Sequence, residues 1–347
     1  MIFHLLIFAV SGMAIWFSGI ILTKTTDALD CRFRIGEAFG GLILLGISGS
    51  LPDIAVAISG ALKGHTSIVI GNLIGGISIQ TLLIVFFDFA VKGKRPLAYL
   101  AGSITLFFET VFSIILIIFA LIATYVPAGV SFFKINPFSI MIVAAWFFGL
   151  YLIDKSHKIE KFNQVEDGAH PGRMHTECRI SKNRTFYAEK KSVYIIILFA
   201  VASIITLIAG FFLEESGNFL AGAIGINSGI FAATILALVT SLPEISTGLE
   251  AIFIGDNHLA ISDVLGGNAF MLVPFFVADL ILGKPALSYA ENSDRLFAII
   301  GIFMLSIYAF SFLIKPRRRY FNLGADSIAE IFIYIGGLAA LFYFKFI

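Results

Sequence analysis

Two short stretches, SGSLPD at 48–53 and VTSLPE at 239–244, are copies of each other set 191 residues apart. Ser50, Leu51 and Pro52 return as Ser241, Leu242 and Pro243, and Asp53 returns as Glu244. The register holds downstream without a gap: Asn72 falls on Asp263, Gly75-Gly76 on Gly266-Gly267, Gln80 on Met271 and Asp88 on Asp279. A match this extended means duplicated halves. Each copy also sets a carboxylate directly after a proline inside a long apolar segment, where an ionisable group is costly and is kept for function.

Composition says what those segments are. Of 347 residues 58% are hydrophobic and only 14% charged, and a mean hydropathy of +0.94 is far above that of a soluble globular chain. The chain reads as a membrane protein. With about 20 apolar residues per crossing, ten spans are expected: 2–22, 35–62, 67–90, 97–126, 137–153, 193–213, 219–254, 259–282, 296–314 and 327–346. The first span has no basic region ahead of it and reads as a retained helix, not a cleaved signal.

Orientation follows from the basic residues. With the N-terminus outside, the inner loops hold Lys24, Arg32 and Arg34, then Lys92, Lys94 and Arg95, then nine between Lys155 and Lys191, then Lys315 and Arg317 to Arg319. Only Lys63, Lys134, Lys284, Arg295 and Lys345 remain outside. Both termini are then external, and the polar linker 155–192 is cytosolic. Five spans precede it and five follow, so halves of odd span number enter the membrane in opposite senses. The expected architecture is all-α: a polytopic inner-membrane protein of ten helices in two inverted five-helix repeats, 1–154 and 193–347. The linker is too short for a folded domain. Its His170, His175 and Cys178 lack a fourth ligand for a structural zinc site, and Cys31 and Cys178 are expected as reduced thiols.

The chemistry gathers in the copied segments. Pro52 and Pro243 lack an amide donor and free backbone carbonyls near residues 48–49 and 239–240, which in lipid must find a helix, a hydroxyl or an ion. Ser50 and Asp53 stand three apart, as do Ser241 and Glu244, so each hydroxyl shares a helical face with its carboxylate. Such oxygens are hard ligands suited to Ca²⁺ or Na⁺. No Lys or Arg lies in an expected span at comparable depth to pair with Asp53 or Glu244. Asn72, Gly76 and Gln80, spaced by four, form one stripe. Buried amides and carboxylates need partners, so Asn72, Gln80, Asp263 and Asn268 are read as lining the same site, while the glycine pairs are explained as well by close helix packing.

The paired SLP-acid segments, each followed after about twenty residues by a glycine pair with amides, resemble the two α-repeats of the sodium/calcium exchanger superfamily of cation/calcium antiporters. The motifs cover 46–80 and 237–271. The resemblance implies exchange of Ca²⁺ against Na⁺ or H⁺ by alternating access, with Asp53 and Glu244 as central ligands, Ser50 and Ser241 supplying hydroxyls, and Gly49 and Thr240 offering carbonyls. The chain departs from the family where Gly49 replaces a threonine, where Gly76-Ile77 replaces a Ser-Asn pair, and where Gln80 and Met271 replace the Asn and Asp of sodium-coupled members. The coupling ion is therefore open, with Na⁺ slightly preferred over H⁺.

An enzyme is not expected, because HExxH, GxSxG and GxGD contexts are absent; a cation channel is the alternative of another class. No cofactor is implied, Ca²⁺ and Na⁺ (or H⁺) being cargo, and the partners are those cations and the bilayer, with no nucleic acid and no protein partner. Glu37 and Glu250 are placed near the interface and within reach of water. Glu109 lies deeper, and its role is left even between structure and function. Asp88 and Asp279, each followed by a Gly-Lys pair, read as a helix-ending device common to both halves.

Overall fold

The computed structural model describes residues 1–33, 47–166 and 190–343. The start of the second expected span, with Glu37, and His170, His175, Cys178 and the last four residues lie outside them. The described chain runs through α1 (Ile2–Phe33), α2 (Leu51–Lys63), α3 (Thr66–Ala90), α4 (Leu97–Ala101), α5 (Ile104–Ala123), α6 (Pro137–Glu166), α7 (Ser192–Ile224), α8 (Ser228–Thr240), α9 (Leu242–Phe253), α10 (Asn257–Leu282), α11 (Asn292–Ile314) and α12 (Ala325–Tyr343). A two-residue hairpin, β1 (Arg319–Tyr320) and β2 (Leu323–Gly324), leads into α12. The protein is an all-α polytopic membrane protein. Six of these helices are long and apolar enough to cross a membrane, and a seventh crossing is made if the bent pair α8 and α9 counts as one.

Several expected boundaries move. The sixth span was expected to end at 213 and the seventh to begin at 219, but α7 runs unbroken to Ile224. The chain turns at Gly225 in the left-handed region (φ 73°), and Asn227 caps α8 by accepting from Gly229 N at 2.8 Å. The reason lies in Glu214. It reads as a loop residue, yet it is fully buried on α7, accepting from Ser59 Oγ at 2.8 Å and Lys63 Nζ at 3.2 Å and meeting His65 Nδ1 at 2.6 Å. The fourth span is interrupted at Gly102-Ser103, where the Ser103 hydroxyl caps α5 by accepting from Leu106 N. The helix of the fifth span continues into the linker as far as Glu166.

The interior belongs to the copied segments. The apolar window of α3 is 94% buried and that of α10 67%, against 33% for α1 and 28% for α7, so α3 and α10 form the centre and α1 and α7 the periphery. α3 and α8 cross through a π-turn in each, Gly71–Gly75 and Ala232–Leu236. Gly71 lies on the backbone of Gly229 and Gly75 on Ala233 so closely that neither position has room for a Cβ. A π-turn inserts one residue per turn and re-aims the side chains beyond it.

Asp88 and Asp279 do more than end helices. Asp88 accepts from Leu97 N at 2.7 Å, Gly324 N at 2.6 Å and Ser327 Oγ at 2.8 Å. Asp279 accepts from Ala286 N at 2.6 Å, Asn136 N at 3.0 Å and Ser139 Oγ at 2.8 Å. Each carboxylate thus holds its own following loop and the start of a helix from the other half. Gly324 and Ser327 stand three apart, as do Asn136 and Ser139, so the two ties are built alike and exchanged between the halves.

Candidate cation site

Both SLP segments break their helices in the same way. Ser50 has φ −85°, ψ 7° and Ser241 φ −85°, ψ 6°, and the new helices α2 and α9 begin one residue later with proline in the first turn. Proline suits that place, because its missing N–H would have had no intrahelical partner. A bend of 46° separates α8 from α9. Asp53 and Glu244 therefore stand in the first turns of two helices, where free N–H groups and the helix dipole favour a negative charge.

The two acids meet inside the protein. Asp53 is 1% exposed and Glu244 7%, and each lies within the electrostatic reach of the other. Asn72 Nδ2 donates to Asp53 Oδ1 at 2.9 Å, and Asn268 Nδ2 donates to Thr81 Oγ1 at 3.1 Å. With the amide nitrogens spent on protein partners, both amide oxygens are left over. Asp53 Oδ2, Asn72 Oδ1, Glu244 Oε2, Asn268 Oδ1 and both polar atoms of Gln80 are buried with no hydrogen-bond partner, six of the fourteen such side-chain atoms among the described residues. Buried polar groups are otherwise satisfied almost without exception, and an unpaired one costs about 1–3 kcal/mol. Five of the six are oxygens, and their concentration in five residues fits a group that supplies positive charge.

The remaining candidates complete the shell in crossed pairs. Thr240 stands beside Asp53, and Gly49, its counterpart in the first copy, faces Glu244 Oε1. The shorter acid thus meets a side-chain hydroxyl, and the longer acid meets a residue with none. Likewise Gln80 fills the space at Gly267, while Met271, which replaces Gln80 in the second copy, fills the space at Gly76. One lobe of the site is an amide and the other a thioether. Ser50 and Ser241 are buried at 2% and 1%; Ser241 Oγ donates to Ala237 O at 2.8 Å, leaving its lone pairs free to bind. Asp263 stands at the margin, partly exposed, accepting from Thr247 Oγ1 at 3.1 Å one turn beyond Glu244.

The other weighed acids lie outside this cluster. Glu250 is partly exposed and pairs with Lys24 at 3.7 Å. Glu109 is buried, and both its oxygens accept from the single hydroxyl of Ser262, at 3.2 and 3.0 Å. Five buried acids are not singled out by the sequence: Glu214, Asp256, Asp294, Asp326 and Glu330. For the last two a signal was present, since an Asp just before the final apolar span and a Glu four residues on, inside it, share one helix face. No three His, Cys, Asp or Glu side chains converge in a metal-holding arrangement among the described residues, so any cation at the centre is held by two carboxylates completed with neutral oxygens.

A polytopic helical protein, with two broken helices that bring a buried acid from each half to one oxygen-lined centre, has the form of a membrane ion carrier. The family described as sodium/calcium exchanger protein matches residues 3–153 and 194–346, and the chain belongs to that family. A curated relative, the inner membrane protein YrbG of Escherichia coli (strain K12), is 22% identical over 300 residues, covering 85% of this chain and 81% of that protein. Among solved structures, the H⁺/Ca²⁺ exchanger CAX superposes with a TM-score of 0.67 at 12% identity, covering 98% of this chain and 88% of its own. The sodium-calcium exchanger NCX_Mj superposes at 0.61 and 16% identity, covering 98% and 99%. At these identities the two structures establish the fold.

Proposed function

We propose that the chain is a secondary antiporter that carries Ca²⁺ across the inner membrane in exchange for Na⁺, by alternating access around Asp53 and Glu244. The observation that carries this reading is the set of buried, partnerless oxygens contributed by Asp53, Asn72, Gln80, Glu244 and Asn268. Two carboxylates match the charge of a divalent ion, and oxygen donors suit a hard cation. Ser50, Ser241 and the carbonyls of Gly49 and Thr240 complete the set, with Asp263 supplying further negative charge from the margin. In this reading the repeats are 1–154 and 193–347, inverted across ten spans, with both termini outside and 155–192 in the cytosol. The exchange of equivalent ties at Asp88 and Asp279 supports such a two-fold relation. The family link to sodium/calcium exchangers supports the counter-ion.

Coupling to H⁺ is a second reading, and one observation favours it. Met271 closes the space at Gly76 with an apolar group, removing a position at which Na⁺ would need an oxygen, whereas a proton needs only a carboxylate. Reconstitution separates the readings. Asp53→Asn and Glu244→Gln should each abolish Ca²⁺ uptake into proteoliposomes while the variant elutes as folded protein; full residual uptake in either removes the central assignment. Uptake driven by a Na⁺ gradient at matched pH is expected. Uptake that follows a pH gradient and ignores Na⁺ replaces Na⁺ with H⁺, and flux with no counter-ion gradient makes the protein a channel.

A further inference from the structure

The second concentration of partnerless buried atoms lies outside both copied segments. On α12, Asp326 and Glu330 stand four apart and share one face. Glu330 is fully buried with neither carboxylate oxygen partnered, and Asp326 is 5% exposed with Oδ1 unpartnered. The hydroxyl of Tyr308 on α11, fully buried, stands beside Ser327 without a well-aligned hydrogen bond and lies within the electrostatic reach of both acids. Four of the fourteen partnerless atoms are in these three residues.

The Nη groups of the nearby Arg319 are turned elsewhere, and its buried Nε has no hydrogen-bond partner. The guanidinium of Arg319 donates to Val91 O at 3.0 Å and Gly93 O at 3.1 Å, and also to the carbonyls of Asp88 and Asn322; its nearest carboxylate is Asp88, at 3.7 Å. Asp88 in turn is saturated by Leu97 N, Gly324 N and Ser327 Oγ. Among the described residues no ion pair reaches Asp326 or Glu330.

Nor does the architecture require acids at these places. The two halves are tied alike at Ser139 and Ser327. One residue before and three after Ser327 stand Asp326 and Glu330; the same steps from Ser139 give Phe138 and Ile142, of which Ile142 is fully buried. The same packing position is thus filled by hydrocarbon in one half and by carboxylates in the other. A place that hydrocarbon fills in one half carries two buried acids without an ion-pair partner in the other, and a bound cation is a way to compensate such burial.

From this we infer that Asp326, Glu330 and the hydroxyl of Tyr308 form a second cation site, separate from the central one, which takes a hard divalent cation of the Ca²⁺ or Mg²⁺ type. Two carboxylates and a phenol oxygen match the charge and the donor preference of such an ion. Bound there, the ion bridges α12 to α11 beside the Asp88 tie.

The test uses the full-length protein in detergent and does not depend on transport. Equilibrium dialysis with radioactive Ca²⁺ should give one ion per chain in the Asp53→Asn, Glu244→Gln double variant, with a rise in Tm on adding Ca²⁺ and competition by Mg²⁺. Adding Glu330→Gln should remove both the binding and the Tm rise while leaving the Tm without Ca²⁺ unchanged, because glutamine has the size and shape of the neutral acid. If the double variant does not fold, Glu330→Gln in the wild-type background should lower the bound Ca²⁺ from two per chain to one. Absence of residual binding, or residual binding indifferent to Glu330→Gln, overturns the second site. Failure of the central assignment reads differently, as transport that survives Asp53→Asn.

Discussion

Asp53 and Glu244 differ by one methylene, and the residues opposite them differ to match. Thr240 brings a hydroxyl towards the shorter acid, and Gly49 leaves space for the longer one, so the site keeps its oxygen supply although neither half is a strict copy. Gln80 and Met271 break the symmetry in a way nothing offsets, since Met271 puts carbon at Gly76 where Gln80 puts an amide at Gly267. Met271→Asp should therefore restore an oxygen to that lobe. A charge-assisted contact of about 1.5 kcal/mol corresponds to about a tenfold gain in apparent Na⁺ affinity, read from the Na⁺ dependence of initial Ca²⁺ uptake. An unchanged Na⁺ dependence would mean that this lobe does not face the ion path.

At the scale of elements, the acids are presented by broken helices, and those breaks are held by what crosses them. The close approach of α3 and α8 at Gly75 and Ala233 leaves no room for a side chain. Gly75→Leu is expected to cost about 1–3 kcal/mol by overpacking, seen as a lower Tm in detergent; an unaltered Tm would mean that the crossing has slack. The Asp279 tie makes a different demand. Asp279→Asn weakens three bonds to a charged acceptor that joins α10 to the start of α6, and a loss of about 1.5–3 kcal/mol is expected. Because the contact spans the halves, limited proteolysis should also become faster at the 124–136 loop, and equal rates in the two proteins would count against a tie between halves.

For the whole molecule, the proposed orientation rests on the charge asymmetry of the loops. In a background with Cys31→Ser and Cys178→Ser, a cysteine added after Ile347 should react with an impermeant maleimide in intact cells, and a cysteine at Gly172 should react only after lysis. The reverse pattern would turn the protein over in the membrane. The buried network at Glu214 ties α7 to the end of α2 through Ser59, Lys63 and His65, and in the proposed orientation it lies on the outer face.

The chain alone carried the class, and it singled out the two acids that folding buries near each other, because each is written in local terms. Apolar length reports a solvent preference, a proline reports a missing amide donor, and a register of SLP-acid segments, glycines and amides survives without a structure to read it in. Asn72, Gln80 and Asn268 were legible for the same reason, as amides that cannot be left unpaired in an apolar segment. What the tertiary structure decided were the pairings. Thr240 with Asp53, Gly49 with Glu244 and Met271 with Gly76 join residues from opposite halves, and no local pattern states which side chain of a distant helix will lie across from another. The surroundings of Glu214, Asp326 and Glu330 are decided on the same ground, although the spacing of the last two is visible in the sequence. The first is stabilised by donors about 150 residues away, and the other two are distinguished by donors that packing withholds. The free energy of a buried carboxylate is set by the groups that folding brings within hydrogen-bond distance, and that distance is fixed only when the helices pack.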